Sequence, residues 1–161
     1  MTWSEFFETA AKFAPLGTVS VALVAAGFAW RAMYVQRDIA RRRAAIDFFL
    51  KTETDPAMIN LYDTFKAEIR QVVQGAPMNT VIKSEHYGKI RGFLNLCELI
   101  AVGVRRKAFS DDVSFHYWGD VLRDSFRDAR PLIDHVREQE RKPATYLDLE
   151  WLCCEKWRDR D

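Results

Sequence analysis

The sequence predicts an all-α protein in which an N-terminal transmembrane helix continues into a cytoplasmic bundle of about four to five helices. Two observations lead to this fold class. Residues 13–30 contain no charged side chain and are followed by a cluster of arginines. The rest of the chain carries apolar residues at helical spacing, without the alternating runs typical of strands. The predicted division is an amphipathic interfacial segment at 1–12, a transmembrane helix at 13–34 and a helical domain at 35–161.

The apolar stretch from Phe13 to Trp30 is interpreted as a membrane span. At about 1.5 Å per residue it forms a helix of roughly 27 Å, close to the roughly 30 Å hydrocarbon core of a bilayer. A buried or interfacial helix and a signal peptide are the alternatives. A signal peptide needs a basic start, whereas this chain starts with MTWSEFFETAAK and its basic cluster follows the apolar run. That cluster also favours a span over a soluble core helix.

The residues that flank the span predict its ends and its orientation. Aromatic rings with a polar tip settle at headgroup level, and the positive-inside rule places the arginines in the cytoplasm. Residues 1–12 then lie on the outer side of the membrane, opposite the cytoplasm. Arg41–Arg43 are expected to contact anionic headgroups. The predicted anchor and interface residues are Phe13, Trp30, Arg31, Tyr34, Arg37, Arg41, Arg42 and Arg43.

Charge and cysteine content restrict the class of protein. The chain has 24 Lys and Arg against 23 Asp and Glu, and this balance argues against a nucleic-acid binder, which needs a surplus of cations. Its three cysteines lack the spacing of a disulfide framework, so reduced thiols in the cytosol are expected. Cys153 and Cys154 are interpreted as small apolar core residues, with a reactive or lipidated thiol as the alternative.

The first half of the helical domain is divided by helix stop and start signals. The anchor helix is expected to continue to about Lys51, and Asp55 before Pro56 predicts the cap of a second helix that stops at Gly75. A third helix is predicted from Thr80 or Ser84 to Arg106, as the central helix. The apolar faces of the second and third helices are Met58, Tyr62, Phe65, Ile69 and Val72, then Ile90, Phe93, Cys97, Ile100 and Val104, widened by Leu94, Leu96, Leu99 and Ala101.

Two more helices are predicted in the second half of the domain. Ser110 followed by two aspartates is a favourable N-terminus for the fourth helix, and Pro131 is expected to kink that helix near Arg127. The last helix is predicted over Thr145–Trp157. The apolar face of the fourth helix is Trp118, Leu122, Phe126, Ala129, Ile133 and Val136.

Three polar residues share one face of the predicted third helix: Arg91, Asn95 and Glu98, at spacings of four and three. Glu98 lies within a nearly continuous apolar run, and a buried carboxylate must find a partner or become neutral. Arg123, Arg127 and Arg130 are the expected partners. The set is interpreted as a structural network, with a ligand-binding or catalytic carboxylate as the alternative.

A metal-dependent hydrolase is an alternative function. Asp112, His116 and Asp120 lie along one helical face, where Glu98 or His86 would complete a ligand set. No HExxH, CxxC, P-loop or nucleophile-elbow motif is present in the sequence. We therefore assign no catalytic residue, no metal ligand and no cofactor.

The segment FLNLCELIAVGVRRKAFSDD, followed by an arginine-bearing helix and a Trp-rich end, resembles an uncharacterised group of small bacterial proteins. Members of that group have one N-terminal membrane helix and a cytoplasmic helical domain of unknown function. The resemblance covers residues 35–157. It implies a helical protein of the bacterial inner membrane, and it carries no catalytic residues over to this chain.

The expected function is a membrane-tethered, non-enzymatic interaction module, acting as an accessory subunit or regulator of an inner-membrane complex. Its partners would be the bilayer and either a membrane protein or further copies of the chain, without nucleic acid. The expected working surface is Trp151 and Trp157 of the last helix, together with the small residues of the span. A membrane-anchored effector that self-associates in envelope stress or phage defence is the other non-enzymatic alternative.

Overall fold

The structure is a computed structural model that describes residues 3–160, with side chains described for 19–160. Its elements are α1 (Trp3–Thr54), α2 (Pro56–Val73), α3 (Met78–Ile82), α4 (Tyr87–Arg105), α5 (Asp111–Gln139) and α6 (Leu147–Trp151), followed by a π-helical turn (Leu152–Lys156). No strand occurs among the described residues. The all-α prediction is therefore confirmed. The chain divides into two compact units between Ala40 and Arg41.

The helix α1 contains the predicted span and is continuous through Pro15 and Gly17. It ends at Thr54, three residues beyond the predicted end at Lys51. Among the described residues, α1 is the one helix long and apolar enough to cross a membrane, and none of its most apolar window is buried within the chain. Phe13 lies outside the residues whose side chains are described.

In the second unit, the end of α1 joins the core through aromatic side chains. Ala45 and Phe49 are buried. The ring of Phe49 stacks on Tyr117 and on Trp118, with centroids 5.4 and 6.0 Å away. Phe48 packs against Phe109, 5.2 Å between centroids. This part of α1 is a core helix of the bundle.

The start and end of α2 follow the predicted signals. The Asp55 carboxylate accepts a hydrogen bond of 2.9 Å from the Ala57 amide, and Pro56 occupies the first helical position. The chain leaves the helix at Gly75, whose φ of 96° favours glycine. Phe65 and Ile69 are buried, and Met58, Tyr62 and Val72 pack against the core.

A start of the third helix at Thr80 is wrong, because a turn over residues 83–86 separates α3 from α4. The alternative start at Ser84 lies three residues before the observed start at Tyr87. The reason for the turn lies in burial. Val81 and Ile90 are both buried, yet nine positions in one α-helix place two side chains about 180° apart. The turn lets both side chains reach the same core.

The helix α4 is the central helix, as predicted, and it contacts α2, α5 and α6. Every residue of its predicted apolar face is buried except Leu99, whose side chain is 52% exposed. The helix α5 starts as expected, with Ser110 accepting from the Val113 amide and with Asp111 and Asp112 in the first turn. All six residues of its predicted face are buried. Pro131 lies inside α5, and the kink expected there stays a prediction.

The last predicted helix is shorter than expected and ends in a π-helical turn. The Trp157 amide donates to the Leu152 carbonyl at 2.9 Å. Positions five apart in a regular α-helix lie about 140° apart, whereas the wider π turn brings them closer to one face. Leu152 and Trp157 are both fully buried as a result.

Candidate functional site

The most connected polar site joins α4 to the segment that precedes α6. The Arg91 guanidinium donates to the Tyr146 hydroxyl at 2.9 Å, to the Tyr87 hydroxyl at 3.1 Å and to Glu140 Oε1 at 2.6 Å. The Tyr146 hydroxyl in turn donates to Asn95 Oδ1 at 3.1 Å. Arg91 and Asn95 therefore belong to one network, as their spacing predicts. Its other members come from distant parts of the sequence.

Glu98 caps the N-terminus of α6 from a different helix. Its two carboxylate oxygens accept from the Asp148 amide at 3.2 Å and from the Leu149 amide at 2.8 Å. These are the second and third amides of α6, which an N-cap side chain normally satisfies. The N-cap residue itself, Tyr146, makes no such bond and has a positive φ of 58°. The carboxylate thus supplies the cap that the local sequence lacks.

Burial sets the protonation behaviour of this network. Desolvation raises the pKa of Glu98, although the Leu149 and Asp148 amides and the nearby Arg137 act in the opposite direction. Burial also raises the pKa of the Tyr146 phenol, against the effect of Arg91. The hydrogen bond from Arg91 lowers the pKa of Glu140. Arg91 and Glu140 thus form a charged pair, while Tyr146 stays a neutral hydrogen-bonding group.

None of the three expected partners, Arg123, Arg127 and Arg130, has a described ion pair with Glu98, which corrects that expectation. Arg127 is exposed and pairs with Asp124 at 2.9 Å and Asp128 at 3.1 Å. Arg123 donates to Asp120 at 2.7 Å, and Arg130 to Glu150 at 2.5 Å. The described hydrogen bonds to Glu98 are donated by amides of α6, because α4 and α6 pack together. The sequence spacing on α4 does not specify that neighbour.

A second ion-pair cluster fixes α6 against α5. Glu150 accepts from Arg130 at 2.5 Å and from Arg137 at 2.8 Å. Burial opposes ionisation of Glu150, but these two hydrogen-bonded arginines outweigh it and lower the pKa of its carboxyl. Arg137 also donates to the Thr145 carbonyl at 2.9 Å. Glu150 and Arg137 were not predicted from the sequence, because no local motif marks them.

The residues of the hydrolase alternative are not brought together. Asp112 and His116 are exposed on α5, 3.6 Å apart, and Asp112 also pairs with Arg160 at 3.4 Å. Asp120 pairs with Arg123, and Glu98 caps α6. His86 lies near Glu68 and Glu85 instead. Among residues 19–160, no group of three His, Cys, Asp or Glu side chains is arranged to hold a metal ion.

Neither tryptophan near the end of the chain is exposed, which corrects the expected working surface. Trp157 is fully buried, and its indole Nε1 donates to Asp111 Oδ1 at 2.8 Å. Trp151 is partly buried beneath the Arg105 guanidinium, 5.1 Å from the ring centroid. Cys97 and Cys153 are buried free thiols, and burial raises the pKa of Cys153 to about 12. Both cysteines behave as apolar core residues.

The arginines of the predicted interface differ in exposure. Arg31, Arg37, Arg42 and Arg43 are exposed. Arg41 is half-buried, and its carbonyl accepts from the Ser110 amide at 3.3 Å. Trp30 and Tyr34 are both more than two thirds exposed. The side chains of Trp30 and Tyr34 are thus not packed against the rest of the chain, as a position at the membrane interface would require.

The second unit has an apolar groove, here named the Trp118 groove, of about 150 Å³ between the end of α1, α2 and α5. Its rim holds two exposed apolar side chains, Ile59 at 41% and Tyr117 at 55%. The groove is lined by Thr52, Glu53, Met58, Ile59, Tyr62, Leu96, Tyr117, Trp118 and Val121. This composition suits an apolar side chain of a partner, since contact sites are concave and mostly apolar.

The first unit has a concave surface of its own, an open depression of about 440 Å³ on α1. It is lined by Phe28, Arg31, Ala32, Val35 and Gln36. The small side chain of Ala32 is part of this lining, together with the larger side chains of Phe28 and Val35. Exposed apolar patches of this kind mark contact surfaces in proteins.

Comparison with known proteins identifies a family for this chain. No curated protein and no solved structure matches the chain. A family described as a domain of unknown function, DUF4760, matches residues 18–157. This range includes most of the apolar part of α1, the Glu98 network and the buried Trp157. The chain belongs to the DUF4760 family.

Proposed function

We propose that the chain is a membrane-tethered, non-enzymatic interaction module, an accessory subunit or regulator of a complex in the bacterial inner membrane. One observation carries the proposal: the most apolar window of α1 is unburied and precedes a unit with a complete helical core. A soluble core helix would bury such a window, because exposed apolar surface is unfavourable in water. The bilayer is its most suitable environment.

The orientation follows from the arginines after the apolar window. Exposed Arg31, Arg37, Arg42 and Arg43 lie at or beyond one end of the span, and such residues remain on the cytoplasmic side. The helical domain is then cytoplasmic, in keeping with its free thiols. The same arginines supply contacts to anionic headgroups.

The Trp118 groove is the proposed contact surface of the helical domain. Its rim residues Ile59 and Tyr117 are exposed, and its floor includes Trp118 and Leu96. Aromatic residues near the centre of a contact carry much of its energy. The partner would insert an apolar side chain between α2 and α5.

A photo-crosslinking residue at position 59 tests this surface in native membranes. We expect a discrete adduct with a membrane protein when Ile59 is replaced, and none when its exposed neighbour Asn60 is replaced. One position turns the side chain by about 100°, so Asn60 is a matched control. Equal or absent labelling at both positions, with the protein purified alone and monomeric, would contradict the proposal.

The self-associating effector is a second candidate, and the depression on α1 favours it. Inducible expression with and without residues 1–34 separates the two functions. An effector of this kind inhibits growth only with its span, whereas an accessory module leaves growth unchanged in both forms. Equal growth with the two chains would remove the effector.

A further inference from the structure

We infer that α1 docks against the α1 of a second copy of this chain, in parallel and in register, through Phe28, Ala32, Val35 and Ile39. These four residues are here named the α1 seam. The inference rests on the membrane location proposed above. It goes further by naming the partner, the surface and the orientation.

The spacing of the α1 seam is that of a coiled coil. Its residues follow one another at intervals of four, three and four. Apolar residues repeated in this way form the a and d positions along which two helices supercoil. Phe28, Val35 and Ile39 are 72%, 46% and 57% exposed. The seam is therefore an unpartnered apolar stripe.

The depression on α1 has the composition of a coiled-coil hole. In such packing, a side chain of one helix enters a hole formed by four residues of the facing helix. Residues at i, i+3, i+4 and i+7 enclose that hole, and the depression is lined by Phe28, Arg31, Ala32 and Val35, with Gln36 beside them. Ala32 leaves the hole open and allows close approach of a second helix.

The location of the seam favours a helix over lipid as its occupant. Phe28 and Ala32 belong to the predicted span at 13–34, whereas Val35 and Ile39 lie beyond it. Lipid tails would cover the first two residues and leave the last two in water. A second helix parallel to α1 covers all four.

The flanking residues favour a second copy in the same orientation. All copies share one orientation in the membrane, so their seams meet at the same depth. In a parallel pair, a g residue of one helix meets the e residue five positions further on in the other. With Ala32 at position a, Arg31 meets Gln36 of the other copy, which joins a guanidinium donor to an amide acceptor.

Cysteine crosslinking in membranes tests the contact. Facing a positions of a parallel pair come close enough for a disulfide, so we expect Ala32→Cys to give a disulfide-linked dimer on oxidation. Met33→Cys is the control at the same depth, because its side chain points about 100° away. The parent chain reports the background from Cys97, Cys153 and Cys154. The dimer yield should exceed both controls by about tenfold or more.

A second variant keeps the test independent of disulfide chemistry. Ala32→Phe fills the hole without adding charge, and Met33→Phe is its control. The association constant between labelled copies, measured by energy transfer in vesicles, should fall by about tenfold or more for Ala32→Phe alone.

The outcomes separate this inference from the proposed function. Dimers from Ala32→Cys above both controls, with weaker association of Ala32→Phe, support the parallel contact. If the chain resists alkaline carbonate extraction but Ala32→Cys gives no more disulfide-linked dimer than Met33→Cys, the seam faces lipid. That result overturns the inference and leaves the proposed membrane location intact. An adduct of Ala32→Cys with a different protein overturns it too. Release of the parent chain by carbonate overturns the membrane location itself.

Discussion

Glu98 shows how one side chain can replace a missing local signal. The start of α6 has no capping side chain of its own, because its N-cap position is occupied by Tyr146. The Glu98 carboxylate satisfies two of the free amides there, at 3.2 and 2.8 Å. The carboxylate is half-buried, and the contact joins residues fifty positions apart. Its role is to hold the end of the chain against α4.

Removing the Glu98 carboxylate should destabilise the helical domain. Glu98→Ala leaves the Asp148 and Leu149 amides without their acceptor, at a cost of about 1–3 kcal/mol in the free energy of unfolding. Glu98→Gln keeps one acceptor oxygen and should cost less. Urea unfolding in mild detergent, followed by far-UV circular dichroism, measures both. Equal losses for the two variants would show that the amides do not depend on this acceptor.

The raised pKa of Glu98 also predicts a pH dependence. The folded protein binds the proton of the Glu98 carboxyl more tightly than the unfolded chain does. The protonated carboxyl therefore makes its full contribution to the free energy of unfolding below the ordinary carboxyl pKa of 4.5. The contribution is lost as the pH rises through the folded value. The wild-type free energy of unfolding, minus that of Glu98→Gln, should therefore fall over this range. A difference that is constant or rises with pH contradicts the assignment.

Two glycines of α4 give opposite predictions for the same substitution. A Cβ at Gly103 would overlap the ring of Phe109, which itself packs on Phe48, whereas a Cβ at Gly88 meets nothing within 4 Å. Gly103→Ala should cost about 1–3 kcal/mol. Gly88→Ala should stabilise by about 0.5–1 kcal/mol, because alanine loses less backbone entropy in a helix. Thermal unfolding of the two variants checks this, and a shift of the same sign in both would contradict it.

At the scale of elements, long amphipathic helices were the most predictable. The whole apolar face of α5, from Trp118 to Val136, is buried as its spacing indicates. The break between α3 and α4 was only partly predictable: no proline or glycine lies between Met78 and Tyr87, so the predicted helix start was left open between Thr80 and Ser84. That break depends on Val81 and Ile90 sharing one core. The partner of Glu98 was not predictable either, because it depends on which helices pack together.

The N-cap of α2 is specified by adjacent residues of the sequence alone, Asp55 followed by Pro56. Asp55→Ala removes the acceptor for the Ala57 amide and should cost about 0.5–2 kcal/mol. Asp55→Ser keeps a capping oxygen and should change the free energy of unfolding by only about a few tenths of a kcal/mol. Urea unfolding compares the two variants. If Asp55→Ser lowers the free energy of unfolding as much as Asp55→Ala does, the carboxylate stabilises the protein through something other than the cap.

For the whole molecule, the sequence indicates the membrane span more clearly than the structure does. The sequence contains an uncharged stretch followed by arginines, and the structure adds that the most apolar window is unburied. The boundary between the compact units lies at Ala40 and Arg41, six residues beyond the predicted end of the span. The exposed seam residues Val35 and Ile39 lie in that interval. A contact that covers them would also protect apolar surface just outside the bilayer.

The span itself is testable by one charge at its centre. Val24 is exposed on α1 and lies at the middle of residues 13–34, where an arginine costs about 2.5–3.5 kcal/mol of insertion free energy. Many of the span's side chains are alanine and glycine, which contribute little to insertion, so this cost should be decisive. We expect the wild-type chain to stay in the membrane pellet after alkaline carbonate extraction, and Val24→Arg to move to the supernatant. Gln36→Arg adds the same charge outside the span and should stay in the pellet. Retention of Val24→Arg, or release of the wild-type chain, would mean that α1 does not cross the bilayer at this segment.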